Sequence, residues 1–299
     1  MDKINITFKK KNGEIFDPKM TDSFIFGLNK NKLKTLLIIL SHPKSIPYLI
    51  NSILHKNNII EMEKFYKNIG INFNEYEYMI FTIGETEYKL AIYKNDFFAN
   101  ISHLKELYSM DVENKYDVMS PMEQIIVDGG ANIGTFALFC AKHGAKKVYA
   151  FEPIQIVYDN LKENIVLNGF EKCIIPIKKA LGDKKEDVFI SFNEHSDMSA
   201  SIGFEDNIHS KERIQIVPLD SVVSGRVDFI KLDIEGYENE ALKGSKNILK
   251  TFEPTLSICA YHKIDDKEQI PKTINAINKN YKCNLQFNSE WHIQGDVEK

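Results

Sequence analysis

Ile125-Ile126-Val127-Asp128-Gly129-Gly130-Ala131-Asn132-Ile133-Gly134 decides the fold. An aliphatic run ends in an acid and a glycine-rich turn, and the helical pattern Thr135-Phe136-Ala137-Leu138-Phe139-Cys140-Ala141-Lys142 follows. The segment therefore reads as a nucleotide-binding strand–turn–helix. Glycines let the backbone pass close to a ligand, and the first N–H groups of the helix offer it donors. A dinucleotide loop, G-x-G-x-x-G, would need glycine at 132 and 135, where this chain has Asn132 and Thr135. That weighs against a nicotinamide cofactor. The turn fits D-x-G-x-N-x-G instead.

A second acid ends the next apolar run, Lys147-Val148-Tyr149-Ala150-Phe151, followed by Glu152-Pro153. A carboxylate there can accept two charge-assisted hydrogen bonds from a ribose diol. Two strand-end carboxylates around a glycine turn suit a ligand with an amino acid at one end and a ribose at the other.

At these residues the chain resembles the FkbM-type S-adenosylmethionine-dependent methyltransferases. The resemblance extends to Leu161-Lys162-Glu163-Asn164 with Asn168-Gly169, and to Phe229-Ile230-Lys231-Leu232-Asp233-Ile234-Glu235-Gly236-Tyr237-Glu238. It also takes in Ala241-Leu242-Lys243-Gly244 and Ile258-Cys259-Ala260-Tyr261-His262-Lys263, so that it covers roughly 124–290. It implies a Rossmann-like class I methyltransferase fold, α/β with a mainly parallel, doubly wound sheet, and S-adenosyl-L-methionine as cofactor. It further implies that Gly130, Asn132 and Gly134, with Gly129 beside them, wrap the methionine part. Glu152, followed by Pro153, would hold the ribose hydroxyls, and the backbone near Ala180 would touch the adenine. Asp128 either touches the ligand or caps the turn's N–H groups. The expected acceptor, a hydroxyl of a glycan or small molecule, likewise comes from the resemblance.

With 299 residues, 43% of them hydrophobic, the chain can bury a sizeable core. A net charge of −4, from 38 basic and 42 acidic residues, gives nucleic acid no general attraction. Cys140, Cys173, Cys259 and Cys283 lie far apart in apolar patterns and read as buried thiols of a reducing compartment, not as a disulfide or zinc set. The polar N-terminus and the short aliphatic run Leu36 to Leu40 lead to the expectation of a cytoplasmic protein without signal peptide or membrane span.

Two regions are expected, 1–120 as an accessory region and 121–299 as the methyltransferase domain. Within the first, 21–70 reads as a helical lobe, basic and apolar enough to touch a membrane surface or partner, although core packing is the simpler reading. Tyr78-Met79-Ile80-Phe81-Thr82-Ile83 and Tyr88-Lys89-Leu90-Ala91-Ile92-Tyr93 read as a hairpin, and 97–109 as another helix. Beyond Pro121 the spacing predicts strands over 124–128, 147–151, 173–178, 186–192, 214–217, 227–232, 255–260 and 282–287. Helices are predicted over 134–143, 154–167, 237–250 and 267–279, and such alternation means a mainly parallel sheet. The polar stretch 193–211 is a candidate loop over the site. Trp291 reads as a core plug.

Methyl transfer needs an aligned acceptor and, for a hydroxyl, somewhere for its proton to go. Lys231, Asp233 and Glu235 fall at one strand end. A buried lysine needs a partner, so Lys231 is expected to pair with Asp233 or Glu235. His262, ending the neighbouring strand, is the expected base, with Asp233 orienting it or the acceptor. No metal is expected; in the alternative, Asp233, Glu235 and His262 would be its ligands. A non-catalytic cofactor-binding subunit is the reading from another class.

Overall fold

The computed structural model describes residues 4–16, 76–83, 85–91, 120–192, 200–201, 210–288 and 290–297, with single positions 103, 106, 107, 110 and 116. The chain divides into two compact units, Met1–Glu106 with His195–Asp197, and Leu107–Glu194 with Met198–Lys299.

In the first unit, β1 (Ile4–Lys10), β2 (Ile15–Phe16), β3 (Tyr76–Ile83) and β4 (Thr86–Ala91) form an antiparallel sheet ordered β2-β1-β3-β4. The expected hairpin is β3–β4, closed where Ile83 pairs with Thr86. Alternate residues bury one face, with Met79, Phe81 and Ile83 set beside Phe8, Tyr88 and Leu90. The expected helical lobe at 21–70 and most of 97–109 lie outside the described residues.

The second unit holds β5 (Ile125–Gly129), α1 (Thr135–Lys142), β6 (Lys147–Phe151), α2 (Gln155–Asn168) and β7 (Ile174–Ile177). Then come β8 (Ala180–Leu181), β9 (Glu186–Phe192), β10 (Ala200–Ser201), β11 (Ser210–Val217) and β12 (Phe229–Leu232). The chain continues through α3 (Glu238–Lys243), α4 (Lys246–Thr251), β13 (Thr255–Cys259), α5 (Asp266–Ile277), β14 (Tyr281–Asn288) and β15 (Glu290–Val297). Seven strands form one sheet in the order β14-β15-β13-β12-β5-β6-β7. The five from β13 to β7 run parallel, and the β14–β15 hairpin adds an antiparallel edge. A smaller sheet, β10-β9-β11-β8, includes part of the 193–211 stretch; the rest of that stretch lies outside the described residues. Among the described residues no helix is long and apolar enough to cross a membrane.

Three details depart from the pattern read in the sequence. The helix expected over 237–250 is broken into α3 and α4, because Gly244 packs so tightly on Gly182 that a Cβ would meet its carbonyl at 1.9 Å. Asp220 then accepts the N–H groups of Asn247 and Ile248 at 2.8 and 3.0 Å, starting α4 afresh. The strand β15 was hidden by its composition, since it interrupts its apolar positions with the buried His292 and with Gly295, which lies against Leu256. Trp291 is no core plug: it is 37% exposed, stands 5.0 Å from the Phe287 ring, and has the Lys267 ammonium 4.0 Å above it.

The centre of the sheet carries an ion pair. Lys231 and Asp128 are register partners on β12 and β5, both almost fully buried, with Nζ 3.0 Å from Oδ1. The expected pairing of Lys231 with Asp233 or Glu235 is thus corrected. Register neighbours on adjacent parallel strands share a face, and Asp128 presents its carboxylate beside the lysine before the chain leaves the sheet. Nζ also donates to the Gly130 carbonyl at 2.9 Å and lies 5.4 and 5.8 Å from the Tyr116 and Phe136 rings. Lys231→Met should cost about 3–5 kcal/mol by leaving a buried carboxylate uncompensated, and Lys231→Met with Asp128→Asn should recover much of that. Urea denaturation checks this; a single variant as stable as the parent would contradict it.

Candidate active site

The strand ends β5, β6 and β12 converge on a cleft open to solvent. On the β5 side the chain turns through Gly130, Ala131, Asn132 and Ile133 to Gly134. The Gly130 and Ala131 N–H groups donate to the Phe151 carbonyl at 3.1 and 2.9 Å, binding the turn to β6. Asn132 takes φ 50°, a left-handed conformation that asparagine tolerates, and its side-chain oxygen accepts the next N–H at 2.7 Å. Asn164, buried on α2, donates to the Ile133 carbonyl at 2.9 Å and fixes the turn from below.

Gly130 is glycine for a reason other than ligand approach alone. With φ 73°, it lies so near the β12 exit that a Cβ would meet the Asp233 carbonyl at 1.9 Å. Any larger residue would force the two turns apart.

Glu152, a residue only 6% exposed, leaves β6 toward the cavity. One oxygen accepts the Asn132 N–H at 3.1 Å and the other the Ile154 N–H at 2.9 Å. Burial raises its pKa to about 7, against the lowering effect of those two donors and of Lys231. The acid is thus held at the cavity wall with acceptor capacity to spare, as a ligand diol requires.

At the other end, Asp233, Glu235 and Tyr237 face the cavity from the turn after β12. Glu235 and Gly236 both take positive φ, 55° and 92°, and this sharp turn sets Asp233 and Glu235 on the cavity side. Asp233 accepts hydrogen bonds from the Tyr116 hydroxyl at 3.1 Å and the Tyr261 hydroxyl at 3.0 Å. His262 Nε2 lies 3.5 Å from Asp233 and 3.6 Å from Glu235, while Nδ1 lies 3.0 Å from the fully buried Glu238. The Nδ1 approach is a charge contact rather than an aligned hydrogen bond. Glu238 in turn accepts the Ile234 N–H at 3.0 Å, closing the turn.

Of the residues singled out in the sequence, Gly130, Asn132, Glu152, Pro153, Ala180, Asp233 and Glu235 line the cavity. Asp128, Gly129, Gly134, Lys231 and His262 are not part of that lining. Gly129 and Gly134 instead make room for Leu232 and Leu161, whose side chains would meet a Cβ at 2.6 and 2.5 Å. Sequence reasoning missed Tyr116 and Glu238. It also missed the apolar walls Ile190 and Ile214, which β9 and β11 bring beside Leu181. Only the alternation of those strands could have pointed to them.

His262 does not have the neutral ring expected of a proton acceptor. Burial works against its charge, yet the Glu238 carboxylate, then Asp233 and Glu235, overcome this and raise its pKa to about 9. The stability this contributes is fully present below the unfolded value near 6.5 and is lost as pH rises through about 9. An NMR titration of the imidazole should find the charged form up to about pH 9, with the midpoint in Glu238→Gln lower by about a unit or more. A parent midpoint near 6.5 would contradict the electrostatics.

These features match known proteins. The family model described as the methyltransferase FkbM domain matches residues 128–286, just over half of the chain. The hexuronic acid methyltransferase AglP of Haloferax volcanii is 33% identical over 133 residues, covering 43% of this chain and 53% of that protein. Protein arginine N-methyltransferase 6 of Danio rerio is 30% identical over 167 residues, covering 50% and 41%. The chain thus spans about half the length of these curated relatives. The crystal structure of methyltransferase FkbM from Methylobacillus flagellatus aligns with a TM-score of 0.47 at 21% identity, over 66% of this chain and 55% of that one. The chain belongs to the FkbM family of S-adenosylmethionine-dependent methyltransferases.

Proposed function

We propose that the chain methylates a hydroxyl of a glycan or small molecule. The observation that supports this most is that Asp233 and Glu235 face the same cavity as Asn132 and Glu152. Acceptor-facing carboxylates and a diol-accepting carboxylate thereby share one space. The relative that modifies a hexuronic acid supports a sugar acceptor.

In this reading Gly130 and Asn132 border the methionine part, Glu152 accepts the ribose hydroxyls, and Ala180 with Leu181, Ile190 and Ile214 borders the adenine. Pro153 stiffens the exit from β6. When bound, S-adenosylmethionine supplies a methyl carbon made electrophilic by its sulfonium. Asp233 would accept the acceptor's hydroxyl hydrogen bond, align its oxygen and take its proton as the oxygen–methyl bond forms and the sulfonium–methyl bond breaks, the thioether leaving as S-adenosylhomocysteine. Glu235 stands 45% exposed at the rim as a second acceptor for the substrate's hydroxyls. His262, already protonated, holds Asp233 and Glu235 together instead of serving as the base. Lys231, paired with Asp128, is a support beneath the turn.

A nitrogen acceptor is the second reading, because two cavity-facing carboxylates would also hold an amine or guanidinium, and one relative is an arginine N-methyltransferase. Incubation with isotopically methyl-labelled S-adenosylmethionine and panels of glycosides, uronates and arginine peptides separates the two, since NMR distinguishes an O-methyl from an N-methyl product. Binding with no transfer to any panel member would favour the non-catalytic subunit.

Calorimetry should show Glu152→Ala losing about tenfold or more in S-adenosylmethionine affinity, as expected for a lost charge-assisted bond. Parent affinity should rise between about pH 6 and 8 as Glu152 ionises through its value of about 7. A flat profile with an unaffected Glu152→Ala would overturn the assignment. Asp233→Asn should lower kcat by about 10²-fold or more while leaving cofactor affinity within a few-fold. Unchanged turnover would remove Asp233 from the mechanism.

A further inference from the structure

We propose that Tyr116 and Tyr261 are positioning residues that aim the Asp233 carboxylate at the site of methyl transfer; this rests on the cofactor reading above. Asp233 lies just beyond the last residue of β12, at the start of a turn with two successive positive-φ residues. The backbone of such a turn does not by itself select a side-chain rotamer, and the His262 imidazole, 3.5 Å from Oδ1, bears on one oxygen alone. Here each oxygen is held by a phenol: Tyr116 donates to Oδ2 at 3.1 Å and Tyr261 to Oδ1 at 3.0 Å.

The two donors differ in anchorage. Tyr116 is 2% exposed, meets the Phe136 ring edge-on with centroids 5.3 Å apart, and has the buried Lys231 ammonium 5.4 Å from its ring. Its hydroxyl is therefore carried to Asp233 on a buried, ring-packed side chain. Tyr261 is 40% exposed, and its ring lies tilted by 44° against the His262 ring with centroids 4.2 Å apart. A carboxylate oxygen has more than one lone-pair site, so each oxygen keeps capacity for a ligand in a direction that the phenols set. Fixing the direction is where a positioned group contributes most to a transfer reaction.

Binding alone can test this, with no need to know the acceptor. S-adenosylhomocysteine carries no charge at sulfur, whereas sinefungin places an ammonium at the position of the transferred methyl group. An aimed Asp233 should favour sinefungin, and calorimetry on the full chain measures the ratio of the two dissociation constants. Tyr116→Phe and Tyr261→Phe should each weaken sinefungin about fivefold or more, with S-adenosylhomocysteine changed less than about twofold. Asp233→Asn should abolish the preference altogether. Equal losses for both ligands, or no loss for either, would overturn the proposal. Should Tyr116→Phe fail to fold, the half-exposed Tyr261→Phe decides alone. A parent that binds neither ligand would instead overturn the cofactor reading, so the two failures are distinguishable.

Discussion

The Asp233 carbonyl occupies the space where any residue but glycine at 130 would place its Cβ. The turn that follows β5 and the turn that follows β12 are therefore one packed unit. Lys231 ties the same unit from within the sheet, donating to the Gly130 carbonyl while it pairs with Asp128. The distance between the Asn132–Glu152 wall of the cavity and the Asp233 carboxylate is thus set by core packing, which has few alternative arrangements. Loops alone would not hold such a spacing.

Charge is arranged around this unit with opposite results at its two ends. At Glu152 burial dominates and raises the carboxyl's pKa to about 7. Around His262 three carboxylates dominate over burial and keep the ring charged. The imidazolium in turn makes it tolerable for Glu238, fully buried, to sit beside Asp233 and Glu235. The charged imidazole stands as the counter-ion of these three acids.

Much of the fold was legible because its signals are local. The turn at 128–134, the acid after β6 and the alternation of strands and helices each need only a dozen residues of context. What stayed hidden depends on partners far along the chain. Lys231 finds Asp128 through strand register 103 positions away, and Tyr116 finds Asp233 across 117. The spacing of Lys231, Asp233 and Glu235 suggested a local pair that the sheet does not make. Glu238 reads in sequence as one more exposed acid in a first helical turn, yet its carboxylate is buried and closes the turn ahead of it. His262 was correctly brought to the strand ends beside Asp233, while its charge state depended on three acids whose convergence no spacing rule conveys. In the cofactor half, the motif residues divide between those that line the cavity and those, Gly129 and Gly134, that are small to admit leucine side chains.

In the proposed function one cavity holds the cofactor with its ribose at Glu152 and its reacting end at Asp233. A crystal structure of the chain with S-adenosylmethionine should therefore show the ribose hydroxyls on the Glu152 carboxylate, the methionine part along Gly130 to Asn132, and the methyl group directed to the side where Tyr116 and Tyr261 hold Asp233. A cofactor bound elsewhere, or bound with its methyl group turned away from Asp233, would contradict it.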